Sequence, residues 1–284
     1  MELVLDARAW HGEGPLWDAR QRVLWWVDVA AGLVHRLDPS SGVDTAIDVG
    51  QPVGAVGLRE PRGLVLALRD GFGVLDGGEV RMLAEVEADR PEQRMNDGAS
   101  DPRGCFWAGT MAEDERPEAG SLYRLDPDGS VTRMLERLTI SNGIDWSPDG
   151  TRMYFVDSGQ KAVDVFDYDL DDGSISRRRH HAELAGGGVP DGLCVDSEGA
   201  IWVARFGGWA VERYTPQGEL ERRLPVPAAQ VTKPAFGGPD LRDLYLTTAR
   251  KGLAEAELRS QPHAGSIFRA RPGVAGKPVS SYRG

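Results

Sequence analysis

Cysteine is nearly absent: Cys105 and Cys194 are the two in a chain of 284 residues, and each stands inside an apolar, strand-like phrase. That usage fits two buried thiols in a reducing compartment better than a disulfide staple, and makes the cytoplasm the expected location. No apolar run approaches the length of a membrane-spanning helix, so no membrane partner is expected. The opening stretch MELVLDARAW carries Glu2 and Asp6 and has no basic lead, so it does not read as a secretory signal. No long basic run or basic stripe is present, and the formal net charge of −11 argues against binding to a nucleic-acid backbone. Periodic helical stretches are almost lacking; residues 113–118 and 252–259 come nearest, and both read as short connecting loops.

What the chain has instead is a repeated phrase. Turn chemistry leads into an apolar strand in WDARQRVLWWVD from Trp17, SDPRGCFWAGT from Ser100, WSPDGTRMYFVD from Trp146 and VDSEGAIWVA from Val195. Weaker copies begin at Leu58 and Gly237, and a second phrase follows each copy, as in VHRLDPSSG, SLYRLDPDG and VERYTPQG. Two hairpins per unit, at a spacing of roughly 41 to 48 residues, match a four-stranded propeller blade. The expected fold is a single all-β domain over residues 1–284, a six-bladed β-propeller with four-stranded antiparallel blades. Trp25, Trp26, Trp107, Trp146 and Trp202 recur at blade positions and are assigned to packing between sheets.

In four copies an oxygen-bearing side chain holds the same place, in a segment expected to lead into a strand: Glu13, Asn96, Asn142 and Asp191. Equivalent positions of a ring converge on its axis, so these distant residues become neighbours at one end of the central channel. Asn-Gly and Asp-Gly are ordinary turn dipeptides, but Gly14-Pro15 already supplies the turn beside Glu13, so its carboxylate needs another explanation. Two acids at a channel mouth are costly without a cation. Two carboxylates and an amide oxygen make a hard ligand set suited to Ca²⁺, Mg²⁺ or Mn²⁺. Of the five histidines, His35, His180, His181 and His263 form no ligand spacing, and His180 and His181 read as a solvated turn after 177–179. His11, two residues before Glu13, is the one placed to reach the mouth. Asp157 and Asp167 are expected to close turns.

The phrases GEGPLW, RMNDGASDPRGCFWAGTMAED, ISNGIDW, PDGLCVDSEGAIWVA and HAGSIFR, in this order from Glu13 to Arg269, resemble the gluconolactonase and regucalcin (senescence marker protein) family of sugar lactone hydrolases. The resemblance implies the six-bladed propeller, one divalent cation (Ca²⁺, Zn²⁺, Mn²⁺, Mg²⁺ or Fe²⁺) held by Glu13, Asn142 and Asp191, and substrate contacts from Arg94, Asn96 and Asp114. At Asp114 compared mammalian members have Glu. It further implies opening of aldonic acid lactones such as gluconolactone. Asp191 is then the catalytic candidate, passing a proton between the attacking water and the departing ring oxygen, or serving as ligand alone.

A small sugar lactone is thus the expected partner of a monomer or weak homo-oligomer. A calcium-binding regulatory propeller is the rival from another class, disfavoured because cation binding alone has no use for Arg94 and Asn96. A phosphotriesterase-like hydrolase would carry additional Asn and Asp ligands, whereas Gly54 and the Lys233 region occupy the remaining equivalent positions here.

Overall fold

A computed structural model describes residues 1–284 and resolves them into six four-stranded antiparallel sheets. Five blades follow the chain directly, over residues 12–48, 53–85, 93–138, 141–183 and 189–225. The sixth takes its three inner strands from Val231–Gly237, Asp243–Thr248 and Ile267–Ala270, and its outermost strand from Glu2–Leu5. Glu2 lies opposite Arg269 in that pairing, with the guanidinium 2.9 Å from the carboxylate. The first strand of the chain therefore closes the ring, a role the opening stretch did not announce by sequence.

The apolar residues gather in six clusters, one at each contact between successive blades. One unites Trp25, Val27 and Val34 of the first blade with Leu64, Leu66 and Leu68 of the second. Another joins Trp17, Trp26 and Leu37 of the first to Tyr245 and Ile267 of the last. Both faces of each sheet are thus covered, which is why VLWWVD is buried along its whole length rather than at alternate residues. Trp26, Trp107, Trp146 and Trp202 are fully buried in these layers. An aromatic of this size removes about 150–250 Å² from water, on the order of 4–6 kcal/mol of transfer free energy before entropy is subtracted.

Buried aspartates tie the turns to the layers. Asp196 Oδ1 accepts from the backbone N–H groups of Glu198 and Ala200, and Oδ2 from Trp202 Nε1 at 2.9 Å and Arg213 Nε at 2.8 Å. Asp101 repeats the device with Arg103, Cys105, Trp107 and Tyr168. The phrases DPRGCFW and DSEGAIW therefore encode an acid that folds the turn and anchors a tryptophan six residues on.

The end of the channel away from the candidate site is crossed by the C-terminal segment. Lys277 Nζ lies 2.7 Å from Asp145, Gly276 donates to the Leu241 carbonyl, and Tyr282 is buried against the second and third blades.

Some local expectations change. Residues 252–259 do not form a plain loop: Glu255–Ser260 is a short helix, with a Glu257 carboxylate accepting from the Ala254 N–H. His180 and His181 lie in the outer strand Ile175–Glu183, not in a turn, because the basic residues before them pair with acids on the neighbouring strand. Asp167 likewise sits within a strand, held by Arg179, whereas Asp157 does close a turn by accepting from the Thr139, Ile140 and Gly159 N–H groups. Cys105 and Cys194 are unpaired thiols.

Candidate metal and lactone site

Every innermost strand breaks register once with its neighbour. The breaks fall between Glu13 and Leu16, Val53 and Ala55, Met95 and Gly98, Ser141 and Ile144, Pro190 and Leu193, and Val231 and Pro234. At such a bulge two residues face one partner, the strand bends, and a side chain is re-aimed. Glu13, Asn96, Asn142 and Asp191 sit at these bulges, inside the innermost strands. The expectation of a lead-in segment ahead of the strand is corrected accordingly: the glycines after Glu13, Asn142 and Asp191 resemble turn chemistry in sequence but serve a bulge. Two glycines also make room, since a Cβ on Gly192 would come within 2.4 Å of Lys233 Cγ, and one on Gly54 within 2.2 Å of the Asn96 carbonyl oxygen.

The bulges direct Glu13, Asn96, Asn142 and Asp191 into one cavity of about 470 Å³, shared with His11 and Arg94. All four are at least nine-tenths buried. A polar chain runs around the cavity wall. Arg94 Nη1 donates to Asn96 Oδ1 at 2.6 Å, and Asn96 Nδ2 donates to the Ser141 carbonyl at 2.9 Å and, at 3.3 Å, to Asn142 Oδ1. Asn142 Nδ2 donates to Ser158 Oγ at 2.9 Å, and Ser158 Oγ donates to the Pro190 carbonyl at 2.7 Å.

The electrostatics call for a cation. Burial, then the charges of Asp191 and Asp97, push the Glu13 carboxyl well above the usual carboxylate range. Burial and Asp97 do the same to Asp191, with Lys251, Lys233 and Asn142 opposing. Beneath them Lys233 Nζ pairs with Asp97 Oδ1, while the buried Asp97 Oδ2 has no partner. Burial works against the Lys233 charge, but Asp97 and Glu13 outweigh it and hold the ammonium above the ordinary lysine value. The buried ammonium beneath Glu13 and Asp191 is thus already committed to Asp97. The donor set fits a divalent cation: Glu13 uses Oε2 for the Gly14 N–H at 2.7 Å and leaves Oε1 without a protein donor, and Asn142 offers its amide oxygen. The Glu13 and Asp191 carboxylates and the Asn142 amide line the one cavity and make a hard oxygen set.

The structure separates Asp114 from this group. Its carboxylate is exposed and bonds Arg116, while the next residue, Glu115, lines the wall and pairs with Lys251 at 3.1 Å. The strand Phe106–Ala112 ends before Asp114, and Glu115 turns with φ at 57°, which sets the loop's direction. Sequence reasoning also passed over Lys251 and Asp97. Asp97 had a signal, an acid next to Asn96 before Gly98; Lys251 had none. His11, considered from its spacing, does line the cavity, and burial followed by Arg94 and Lys251 holds its proton affinity well below the usual imidazole range. A larger hollow of about 710 Å³ opens at the opposite end of the channel, where Asp145 and Lys277 satisfy each other at 2.7 Å.

Fold and site together define a six-bladed propeller with an acidic, oxygen-lined hub cavity at one channel mouth. Residues 11–250 match the family described as the SMP-30/gluconolactonase/LRE-like region, and the chain belongs to that family. A regucalcin of Xenopus laevis is 38% identical over 294 aligned positions, covering 100% of this chain and 98% of the relative. The crystal structure of a calcium-binding protein, regucalcin, from Agrobacterium tumefaciens superposes with a TM-score of 0.96 at 32% identity, covering 99% of this chain and 97% of that one. A gluconolactonase from Xanthomonas campestris shares the fold at a TM-score of 0.77 and 24% identity, covering 97% and 89%.

Proposed function

We propose that the protein is a divalent-metal-dependent lactonase that opens aldonic acid lactones such as gluconolactone, acting in the cytoplasm as a monomer or weak homo-oligomer. The observation that carries this reading is the juxtaposition, in one cavity, of two carboxylates of raised proton affinity with the amide and guanidinium donors of Asn96 and Arg94. Glu13, Asn142 and Asp191 would hold the cation, one of Ca²⁺, Zn²⁺, Mn²⁺, Mg²⁺ and Fe²⁺. When bound, it supplies polarisation of a carbonyl oxygen and a more acidic water.

Around that centre the chain's own residues have separable tasks. Arg94 orients Asn96 through the 2.6 Å bond, and the N–H groups of its planar guanidinium not used in that bond are donors for ring hydroxyls. Asp191 accepts the proton of the attacking water and returns one to the ring oxygen as the acyl–oxygen bond breaks, giving the open acid. No Ser, Cys or His nucleophile is needed.

The test is acid release from a panel of aldonolactones by chelated protein reloaded with single metals. Turnover that depends on added cation is expected; equal rates with and without chelator overturn the reading. A protein that binds calcium tightly yet turns over no lactone would be a binding propeller instead.

A further inference from the structure

We propose that Lys251, with Arg94, forms an anion subsite at the cavity mouth that accepts a second carboxylate carried by the lactone, a proposal resting on the lactonase reading above. The hub cavity is joined by a neighbouring hollow of about 640 Å³, and His11, Arg94 and Lys251 line both. Trp10, half-exposed, and Pro52 line the outer hollow. A ligand seated in the hub can extend its far end toward a second chamber, with two cations at the junction.

Both cations already hold carboxylates. Glu115 lies 3.1 Å from Lys251 Nζ, and Glu113 lies 3.6 Å from Arg94 Nε. Both acids come from the segment after the strand Phe106–Ala112, and each side chain is about half exposed, at 49%. The Lys251–Glu115 pair is made in water and is weak and readily exchanged, while the Glu113 carboxylate reaches a buried Arg94 from its own exposed side. The two glutamates therefore mark where an incoming carboxylate would sit, and Glu115 competes with it for Lys251.

The cavity is electrically polarised along its depth. Glu13, Asp97 and Asp191 occupy the hub, and the Lys251 and Arg94 charges stand at the mouth. In the hub Lys233 is already paired with Asp97 and the cation would be held by Glu13, Asn142 and Asp191, whereas at the mouth a carboxylate meets ammonium and guanidinium donors. A lactone whose carboxylate lies at the far end from its carbonyl is thereby oriented, carbonyl inward and carboxylate outward. The substrate class is an aldarolactone, the monolactone of a sugar diacid, and its hydrolysis product is the open dianion.

The deciding measurement is kcat/KM for a neutral aldonolactone and for the corresponding aldarolactone, on metal-loaded wild type, Lys251→Met and Glu115→Gln. The ratio of the charged to the neutral substrate should fall about tenfold or more in Lys251→Met, rise in Glu115→Gln, and fall in wild type with added salt. A ratio unchanged in both variants overturns the subsite. Lys251 is a third exposed, and equal thermal midpoints would show that both variants fold. If neither lactone is turned over, the lactonase reading has failed, and calorimetric binding of an open-chain aldarate to the metal-loaded protein decides the subsite separately. Binding weakened about tenfold by Lys251→Met supports it. Equal binding in both proteins, or none in either, overturns it.

Discussion

Asn142 Nδ2 donates to Ser158 Oγ at 2.9 Å, and that bond decides which end of the amide the cavity sees. An asparagine amide has two ends of similar shape, and only the hydrogen-bond network tells them apart. With nitrogen given to Ser158, the oxygen is left toward Asn96 and the hub. Ser158 in turn donates to the Pro190 carbonyl, the residue before Asp191, so one hydroxyl positions two of the three proposed ligands.

Ser158→Ala should therefore weaken cation binding without unfolding the protein. Residues that orient metal ligands typically contribute about 10–100-fold in affinity, and about tenfold is expected here. Competition with a fluorescent chelator measures it; affinity equal to wild type would show that Asn142 is held by other means.

The pH dependence of stability should differ between the chelated and the cation-loaded protein. Glu13 and Asp191 have folded-state pKa values raised above their unfolded ones, so the folded chain binds more protons than the unfolded chain between those values. Stability of chelated protein is full below the ordinary carboxylate range near about pH 4 and declines as pH rises through the raised values. A bound cation removes the decline. Thermal midpoints across pH, with chelator and with calcium, would show converging curves at acid pH and separated ones at neutral pH.

Glu13→Gln should raise the stability of chelated protein at neutral pH while abolishing tight cation binding. The substitution keeps the shape and removes one of two mutually repelling buried charges, a change worth about 1–3 kcal/mol. Urea unfolding at neutral pH checks the first claim and metal titration the second. Lower stability of the variant in chelator would contradict the account of the hub as acid-rich.

Gly192→Ala should damage the hub without touching a proposed ligand. The added methyl meets Lys233 Cγ at 2.4 Å and Cβ at 2.5 Å, forcing the lysine from Asp97 or bending the strand. Overpacking of this kind costs about 1–3 kcal/mol, and a displaced Lys233 leaves Asp97 buried and unpaired. Denaturant unfolding gives the first quantity, and cation affinity reports the second.

Asp196→Ala should be among the most destabilising single changes in the chain. It removes two turn contacts, the Trp202 indole partner and the Arg213 carboxylate together, at about 3–5 kcal/mol for breaking a buried ion pair. Loss of less than about 1 kcal/mol by urea denaturation would mean the turn and the tryptophan do not depend on the acid.

Periodicity made the blades legible, because each unit repeats its turn and its buried strand at a fixed interval. The same equivalence places Glu13, Asn96, Asn142 and Asp191 at corresponding points of the ring, and they share a cavity with Arg94. What sequence hid was local geometry. Asn-Gly and Asp-Gly look the same whether they serve a turn before a strand or a bulge within one, and only the register of the partner strand separates the two cases. The loop after Ala112 was unreadable for a similar reason: a positive φ at Glu115 turns that side chain inward and leaves Asp114 with Arg116. Lys251 enters the mouth from the last blade, a placement visible only once the ring is closed.

That closure joins two segments far apart in the chain, with Glu2–Leu5 laid beside Ile267–Ala270. During synthesis Glu2–Leu5 has no partner until Ile267–Ala270 leaves the ribosome, so the ring stays open until then. Glu13 belongs to the first blade, and the sixth blade reaches its flank, where Thr232 Oγ1 donates to the neighbouring Gly12 carbonyl at 2.7 Å. A truncated or prematurely released chain would then carry most of the hydrophobic layers yet no assembled hub, and the capacity to retain a cation would emerge in a single late event.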